Sequence, residues 1–122
     1  MKTIILDTNV LLQDKVDVLS QLRNICDFSY EAAILDKTLD ELKNKKGEPY
    51  AKALLTKTHI KTILTNTSST YVDAIILDRA PKEKWAVVTQ DKALKTSLVK
   101  AGVLVITIRQ QKTLMIVNPH VL

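Results

Sequence analysis

Thr3-Ile4-Ile5-Leu6, followed directly by Asp7, is the stretch that decides the fold. A short run of apolar or β-branched residues without polar alternation is typical of a strand buried on both faces. Three further stretches have this character, and they are Glu31 to Leu35, Trp85 to Thr89, and Val103 to Ile108. Because helical patterns separate them, the sequence predicts an α/β fold with a central, mostly parallel sheet.

The segments between these strands predict the helices. They are Val10 to Cys26 with a break near Asp14, Asp36 to about Gly47, Pro49 to about Leu64, Tyr71 to about Ala80, and Asp91 to Ala101. We expect Asp36 to cap the second of these helices and Ser69 or Thr70 to cap the fourth. Pro81 should end the fourth helix. Thr113 to Val117 is predicted as a fifth strand at an edge, which gives a sheet of four to five strands.

Composition narrows the class of protein. The chain has 122 residues and a hydrophobic fraction of 46%, which predicts a single domain over residues 1–122. The lone cysteine, Cys26, excludes an internal disulfide and a cysteine-based zinc site, and His59 and His120 lack a metal-ligand spacing. Two glycines are too few for a glycine-rich phosphate loop. The chain has five aromatic residues, and no stacking platform for single-stranded RNA can be proposed from the sequence.

The beginning of the chain is strand-like and is not typical of a signal peptide. No apolar run approaches the ~20 residues that cross a membrane. We therefore expect a cytoplasmic protein without a membrane partner.

Positive charge is concentrated in one stretch. The formal net charge is +5, and the segment from Lys43 to Lys61 holds six lysines against one acid, Glu48. Its local surplus equals the surplus of the whole chain. Such a stretch permits nucleic-acid binding, and a solvated helix face is the alternative interpretation.

Four carboxylates are predicted to meet at one edge of the sheet. Asp7 follows the first strand, and Asp91 comes shortly after the strand that begins at Trp85. Both should lie beyond the carboxyl ends of parallel strands, where active sites of such sheets are found. Glu41 lies in the helix after the second strand, and Asp73 lies in the first turn of a later helix. Taken singly, Asp7, Asp73 and Asp91 are also explained as helix caps or dipole partners.

A hard divalent cation would explain why carboxylates converge. Carboxylates held together repel one another, and without a counter-charge some would bind protons. Mg²⁺ and Mn²⁺ prefer oxygen ligands, so either ion would stabilise the group. A bound metal makes water easier to ionise and stabilises charge on a phosphate. Phosphodiester hydrolysis would then need no histidine or cysteine nucleophile.

The residues around these acids resemble the motifs of the PIN-domain nuclease family. The matching stretches are Ile4 to Leu12, Ile34-Leu35-Asp36 with Asp40-Glu41-Leu42-Lys43, Tyr71 to Ile76, Val87 to Leu94, and the closing strand Gly102 to Ile106. They occur in the family's order and extend over Lys2 to about Arg109. The resemblance implies a three-layer α/β/α fold and a metal-dependent endoribonuclease that cleaves single-stranded RNA with Mg²⁺ or Mn²⁺.

The resemblance also implies roles for single residues. Four residues match the family's acidic positions, and they are Asp7, Glu41, Asp73 and Asp91. The resemblance implies that they are both catalytic and metal-binding. Thr8 and Asn9 match the polar residues beside the first acid, with Asn9 orienting Asp7 or a water. Thr89 is expected to support Asp91. If RNA is the substrate, the lysines expected to contact its backbone are Lys45, Lys46, Lys52 and Lys57.

The sequence from Leu35 to Lys43 resembles the archaeal ribosomal-RNA-processing branch of the family more than the VapC-like toxin branch. A toxin would have an antitoxin partner. Relatives of the processing type often carry two adjacent acids where this chain has only Asp73, so a second metal stays open. A non-catalytic RNA-binding or assembly module is a further alternative. The apolar tail from Leu114 to Leu122 could pair with another chain, as in a homodimer.

Overall fold

The structure is a computed structural model, and it describes residues 1–121. Its elements in chain order are β1 (Lys2–Leu6), α1 (Thr8–Leu11), α2 (Val18–Ile25), β2 (Tyr30–Leu35), α3 (Asp36–Leu42), α4 (Glu48–Lys57), β3 (Lys61–Ile63), α5 (Val72–Glu83), β4 (Ala86–Val88), α6 (Lys92–Lys100), β5 (Val105–Arg109), β6 (Thr113–Ile116) and a 3₁₀ turn at Pro119–Val121. No helix in this part of the chain is both long enough and apolar enough to pass through a bilayer.

The strands form one sheet in the order β3-β2-β1-β4-β5-β6. All neighbours are parallel except β5 and β6, which are antiparallel. The chain builds outward from β1 to β3 on one side and then continues at β4 on the other side. The crevice between the carboxyl ends of β1 and β4 is therefore the switch point at which such sheets bind ligands.

The central strands are apolar throughout because both faces of the sheet are covered. On β1, Ile4 and Leu6 face one core and Ile5 faces the other, and all three are fully buried. The first core is closed by residues of α1, α2 and α4, and the second by residues of α5 and α6. The expected three-layer α/β/α architecture with a mostly parallel sheet is confirmed.

The sheet has one strand more than the sequence predicted. The helix that was expected to reach Leu64 ends at Lys57, and Lys61–Ile63 forms β3, which pairs in parallel with Ala33–Leu35 of β2. Two of its three residues are exposed, so no apolar pattern marks it. Pairing with the buried neighbour β2, a tertiary effect, overrides the local helical pattern.

Two predicted caps and one predicted helix end are wrong. Asp36 is the first residue of α3, not its cap, and its Oδ1 accepts hydrogen bonds from the hydroxyl and the backbone N–H of Thr65 at 2.8 and 3.3 Å. Tyr71 occupies the N-cap position of α5, with no side-chain cap from Ser69 or Thr70. Pro81 lies inside α5, which continues to Glu83. The carbonyl that loses a donor belongs to Leu77, on the exposed side of the helix where water can take that place.

The remaining helix expectations hold more closely. The break near Asp14 is present, since α1 ends at Leu11 and α2 begins at Val18.

The C-terminal tail is partly anchored to α2. Leu114 is buried, and the Gln21 side chain donates to the Lys112 carbonyl and accepts from the Leu114 N–H, both at 2.6 Å. Leu122, the last residue of the predicted pairing tail, lies outside the described residues.

Candidate metal centre

Asp7 is the buried centre of the site. It follows β1 directly, its backbone N–H donates to the Val88 carbonyl of β4 at 3.0 Å, and the residue is only 3% exposed. One carboxylate oxygen, Oδ1, accepts from the Thr8 backbone N–H at 2.8 Å, and the other, Oδ2, accepts from the Thr89 hydroxyl at 2.8 Å. Asp7 is therefore both the N-cap of α1 and a fixed carboxylate at the switch point.

Glu41 is connected to Asp7 through one intervening residue. The Thr8 hydroxyl donates to Glu41 Oε1, which links α1 to α3 across 33 residues of sequence. Thr38 lies one helical turn before Glu41 on the same face of α3. Its hydroxyl is buried and has no hydrogen-bond partner among residues 1–121. The face of α3 that carries Glu41 thus also carries a buried polar group, the Thr38 hydroxyl.

Asp91 and Asp73 belong to two neighbouring helices. Asp91 is the N-cap of α6, and its Oδ1 accepts from the Leu94 N–H at 2.8 Å. Asp73 lies in the first turn of α5. Both acids line a cavity of about 260 Å³ between these helices, together with Leu77 and Ser97. The negative charges lie at helix N-termini, where the helix dipole favours them.

The acids influence one another electrostatically. Burial raises the pKa of Asp7 above its usual value, and the charges of Glu41 and Asp91 raise it further, against the lowering effect of the hydrogen bonds from Thr89 and Thr8. Desolvation and the charges of Asp7 and Asp91 likewise raise the pKa of Asp73. Asp7 is thus within electrostatic range of Glu41, Asp73 and Asp91.

The donor set fits a hard cation, although the side chains are not gathered into a finished coordination shell. Within residues 1–121, no three histidine, cysteine, aspartate or glutamate side chains stand in an arrangement that could hold a metal ion. Asp73 and Asp91 share a cavity, Asp7 is buried, and Glu41 is held by Thr8. A divalent cation among these oxygens would offset both the burial of Asp7 and Asp73 and the repulsion between the acids, the two causes that raise their pKa values.

Thr89 contacts two of the acidic segments at once. Its hydroxyl donates to Asp7 Oδ2 and accepts from the Asp91 backbone N–H at 3.1 Å. The sequence indicated support for Asp91 alone. The structure adds the bond to Asp7, and Thr89 itself is fully buried. Its side chain thus fixes the relative position of the ends of β1 and β4.

A second cavity, of about 560 Å³, is lined by neighbours in sequence of Asp7 and Asp91, although none of the four acids lines it. Asn9, Lys46, Gly47 and Gln90 line it, with residues that follow α1. Asn9 is exposed, and the described part of the chain gives its side chain no hydrogen bond to Asp7. Gln90 was not singled out from the sequence, although its place between Thr89 and Asp91 was a signal that could have identified it.

The four lysines predicted to bind RNA occupy different positions. Lys46 lines the cavity of about 560 Å³ that also contains Asn9 and Gln90, and Lys45 next to it is exposed. Lys52 forms an ion pair with Glu48 at 3.3 Å one turn earlier in α4. Lys57 lies at the far end of α4 and lines a separate groove. The structure therefore spreads these lysines from the loop before α4 to the last residue of that helix.

Comparisons with known proteins agree with this architecture. A family model described as a PIN like domain matches residues 4–111, a range that contains all four acids. The solved structure of the PIN domain endonuclease Utp24 superposes with a TM-score of 0.79 and 23% sequence identity, covering 94% of this chain and 90% of that one. At this identity the likeness shows the fold. A comparison with curated protein sequences found no significant match. The family match confirms the resemblance noted in the sequence, and the chain belongs to the PIN-like domain family.

Proposed function

We propose that this protein is an endoribonuclease that hydrolyses phosphodiester bonds in single-stranded RNA and depends on Mg²⁺ or Mn²⁺. The observation that carries the proposal is the placement of Asp7, buried at the switch point with its pKa raised by burial and by the charges of Glu41 and Asp91. Carboxylates with pKa values perturbed by burial and by one another are concentrated at functional sites. Hard-cation binding is the purpose that fits oxygen donors in a family of nucleases.

In this proposal Asp7, Asp73, Asp91 and Glu41 would hold the metal. When bound, the metal would make a water more nucleophilic and would stabilise charge on the phosphate. The protein's own part is to orient the ligands. Thr89 and the Thr8 backbone fix the two oxygens of Asp7.

The residues around the acids would then position the RNA. The Thr8 hydroxyl fixes Glu41, and Asn9, Gln90 and Lys46 line the adjoining cavity. There they would place the RNA backbone, because contacts to phosphate position a strand without specifying its sequence.

We further propose that ribosomal RNA processing is the role. The support is the motif from Leu35 to Lys43, which looks like the archaeal processing branch, together with the basic surplus that extends through α4. The toxin alternative predicts a tightly bound antitoxin. Co-purification of the protein with a small partner encoded beside it would contradict the processing role.

The test is cleavage of labelled single-stranded RNA by the wild type and by Asp7→Asn, with Mg²⁺ or Mn²⁺ and with a chelator. Asp78→Asn is a matched control, because Asp78 is an exposed carboxylate on α5 that pairs with Lys82. We expect cleavage by the wild type and the control, and none by Asp7→Asn. Equal cleavage by Asp7→Asn would contradict the site assignment. No cleavage of several substrates by the wild type would favour a non-catalytic RNA-binding or assembly module.

A further inference from the structure

A groove between α2 and α4 lies apart from the carboxylates. Its cavity volume is about 650 Å³, and the residues that carry the argument are Arg23, Tyr50, Lys57 and Asp17. This volume lies within the range of about 300 to 1,000 Å³ that is typical of small-ligand sites. None of these side chains takes part in the carboxylate site described above.

The groove combines an aromatic side chain with two cationic side chains against one acid, a surplus of one positive charge. Tyr50 is 36% exposed, and Arg23 and Lys57 are exposed side chains that line the same space. The acid at the groove, Asp17, is the N-cap of α2 and accepts from the Ser20 N–H at 3.2 Å and the Ser20 hydroxyl at 2.8 Å. The Arg23 guanidinium joins this cluster by donating to the Ser20 hydroxyl at 3.1 Å, which uses one of its five N–H groups. Its other N–H groups and the Lys57 ammonium keep donors for an anionic ligand.

This chemistry fits a nucleotide. A base can stack on a tyrosine ring, and such stacking tolerates any base because every base has a π-face. Arginine and lysine donate to phosphate oxygens, arginine often through two bonds at once. A groove that offers both, within a stretch of surplus positive charge, complements single-stranded nucleic acid better than it complements an apolar segment.

The groove is connected to the carboxylate site by α4. The residues just before α4, Lys46 and Gly47, line the cavity that also contains Asn9 and Gln90. From Glu48, α4 extends over ten residues to Lys57, which at a rise of about 1.5 Å per residue is about 15 Å. A strand with one phosphate at the carboxylates could therefore pass Lys46 and follow α4 into the groove.

We infer that the α2–α4 groove binds a nucleotide of the single-stranded RNA substrate several positions from the cleaved bond, with the base on Tyr50 and the phosphate at Arg23 and Lys57. The inference rests on the proposed function, because it takes RNA as the ligand. It adds a distinct site that would set the minimum length of RNA that binds well. A short RNA that occupies the carboxylate site alone would gain nothing from the groove.

The test is fluorescence anisotropy with Ca²⁺ in place of Mg²⁺ or Mn²⁺, so that the carboxylates keep a counter-charge, with a short RNA and with one long enough to reach the groove. A gel run after each titration checks that the RNA is intact. For the long RNA, we expect Tyr50→Ala to weaken binding by at least about fivefold and Tyr50→Phe to preserve it. The double variant Arg23→Gln with Lys57→Gln should reduce the salt slope of binding by about 1.4. None of the three should change binding of the short RNA. Lys100→Gln, an exposed lysine at the end of α6, is the matched control.

Unchanged affinity for the long RNA in both Tyr50→Ala and the double variant would overturn the inference. So would failure of the wild type to bind either RNA. A different result would contradict the proposed nuclease function and leave the groove in place. If the wild type cleaves nothing with metal, yet its binding of long RNA depends on Tyr50, the groove stands without the nuclease. If Tyr50→Ala does not fold, the exposed Arg23 and Lys57 still provide the result.

Discussion

The Thr89 hydroxyl connects the residues that follow β1 and β4, because it bonds to both Asp7 and Asp91. Thr89→Val keeps the shape but leaves Asp7 Oδ2 and the Asp91 N–H without their partner. Because both groups are at least partly buried, we expect a loss of about 1 to 3 kcal/mol in the free energy of unfolding. Urea denaturation measures it. Thr96→Val is the control, since its hydroxyl bonds only to the Lys92 carbonyl on the exposed side of α6. Equal losses in the two variants would contradict a special role for Thr89.

Thr8 should affect catalysis more than stability. Its hydroxyl donates to Glu41, so Thr8→Val frees the Glu41 carboxylate while Thr8→Ser keeps the bond. We expect Thr8→Val to lower kcat by about tenfold or more with little change in KM, because misplacing a positioned group affects the reacting geometry. Thr8→Ser should restore most of the rate. If both variants cleave RNA like the wild type, Glu41 does not depend on Thr8.

At the residue scale, the sequence predicted where the acidic residues lie better than it predicted their hydrogen-bond partners. Asp7 and Asp91 could be placed because each follows an apolar strand, and parallel strands end at one edge. The bond between Thr8 and Glu41 could not be predicted, because it joins residues 33 positions apart through the packing of α1 on α3. The same is true of Thr89, whose place after a strand does not reveal that its hydroxyl reaches Asp7.

At the scale of elements, Asp36 connects the start of α3 to the loop after β3. Partial desolvation acts to raise its pKa, but the hydrogen bonds from Thr65 and Lys37 outweigh this and hold the pKa of Asp36 below its usual value. A carboxylate with a lowered pKa stabilises the fold above its unfolded pKa, here 3.8, and loses that contribution as the pH falls through the lower folded pKa. We therefore expect Asp36→Asn to be less stable than the wild type at pH 7 and the difference to shrink below about pH 4.

Thermal unfolding at several pH values checks this. Asp40→Asn is the matched control: it lies on the same helix, is exposed, and pairs only with the exposed Lys43 at 3.6 Å. A difference between Asp36→Asn and the wild type that persists unchanged to low pH would show that the Asp36 charge is not what stabilises the loop.

The β3 strand shows why some elements escape prediction from sequence. Lys61 and Thr62 are exposed and only Ile63 is partly buried, so the segment carries neither a strand alternation nor a continuous apolar run. It is a strand because β2 offers it an edge, and the loop behind it is fixed by Asp36 and Thr65. The interior strands, by contrast, needed no partner to be recognised, because burial on both faces leaves them uniformly apolar.

At the scale of the whole molecule, topology converts these strands into a site. The order β3-β2-β1-β4-β5 puts the ends of β1 and β4 side by side, although β1 and β4 are separated by most of the chain. Alternating helices and strands predicted this class of fold from the sequence. The final arrangement of the acids depends on side-chain packing between α5 and α6 and between α1 and α3. That packing is why the sequence predicts which acids belong together but not their distances.

Metal binding should stabilise the whole molecule. Burial raises the pKa values of Asp7 and Asp73, and the charges of the neighbouring acids raise them further. A cation that binds only the folded state at 100 times its dissociation constant adds about 2.7 kcal/mol to the free energy of unfolding. We therefore expect Mg²⁺ or Mn²⁺ to raise the Tm of the wild type and of Asp78→Asn, and a chelator to reverse the rise. Asp7→Asn and Asp91→Asn should lose most of it, because each removes a charged ligand. An equal rise in all four proteins would mean that the cation binds elsewhere, and no rise in the wild type would remove the metal from the proposed site.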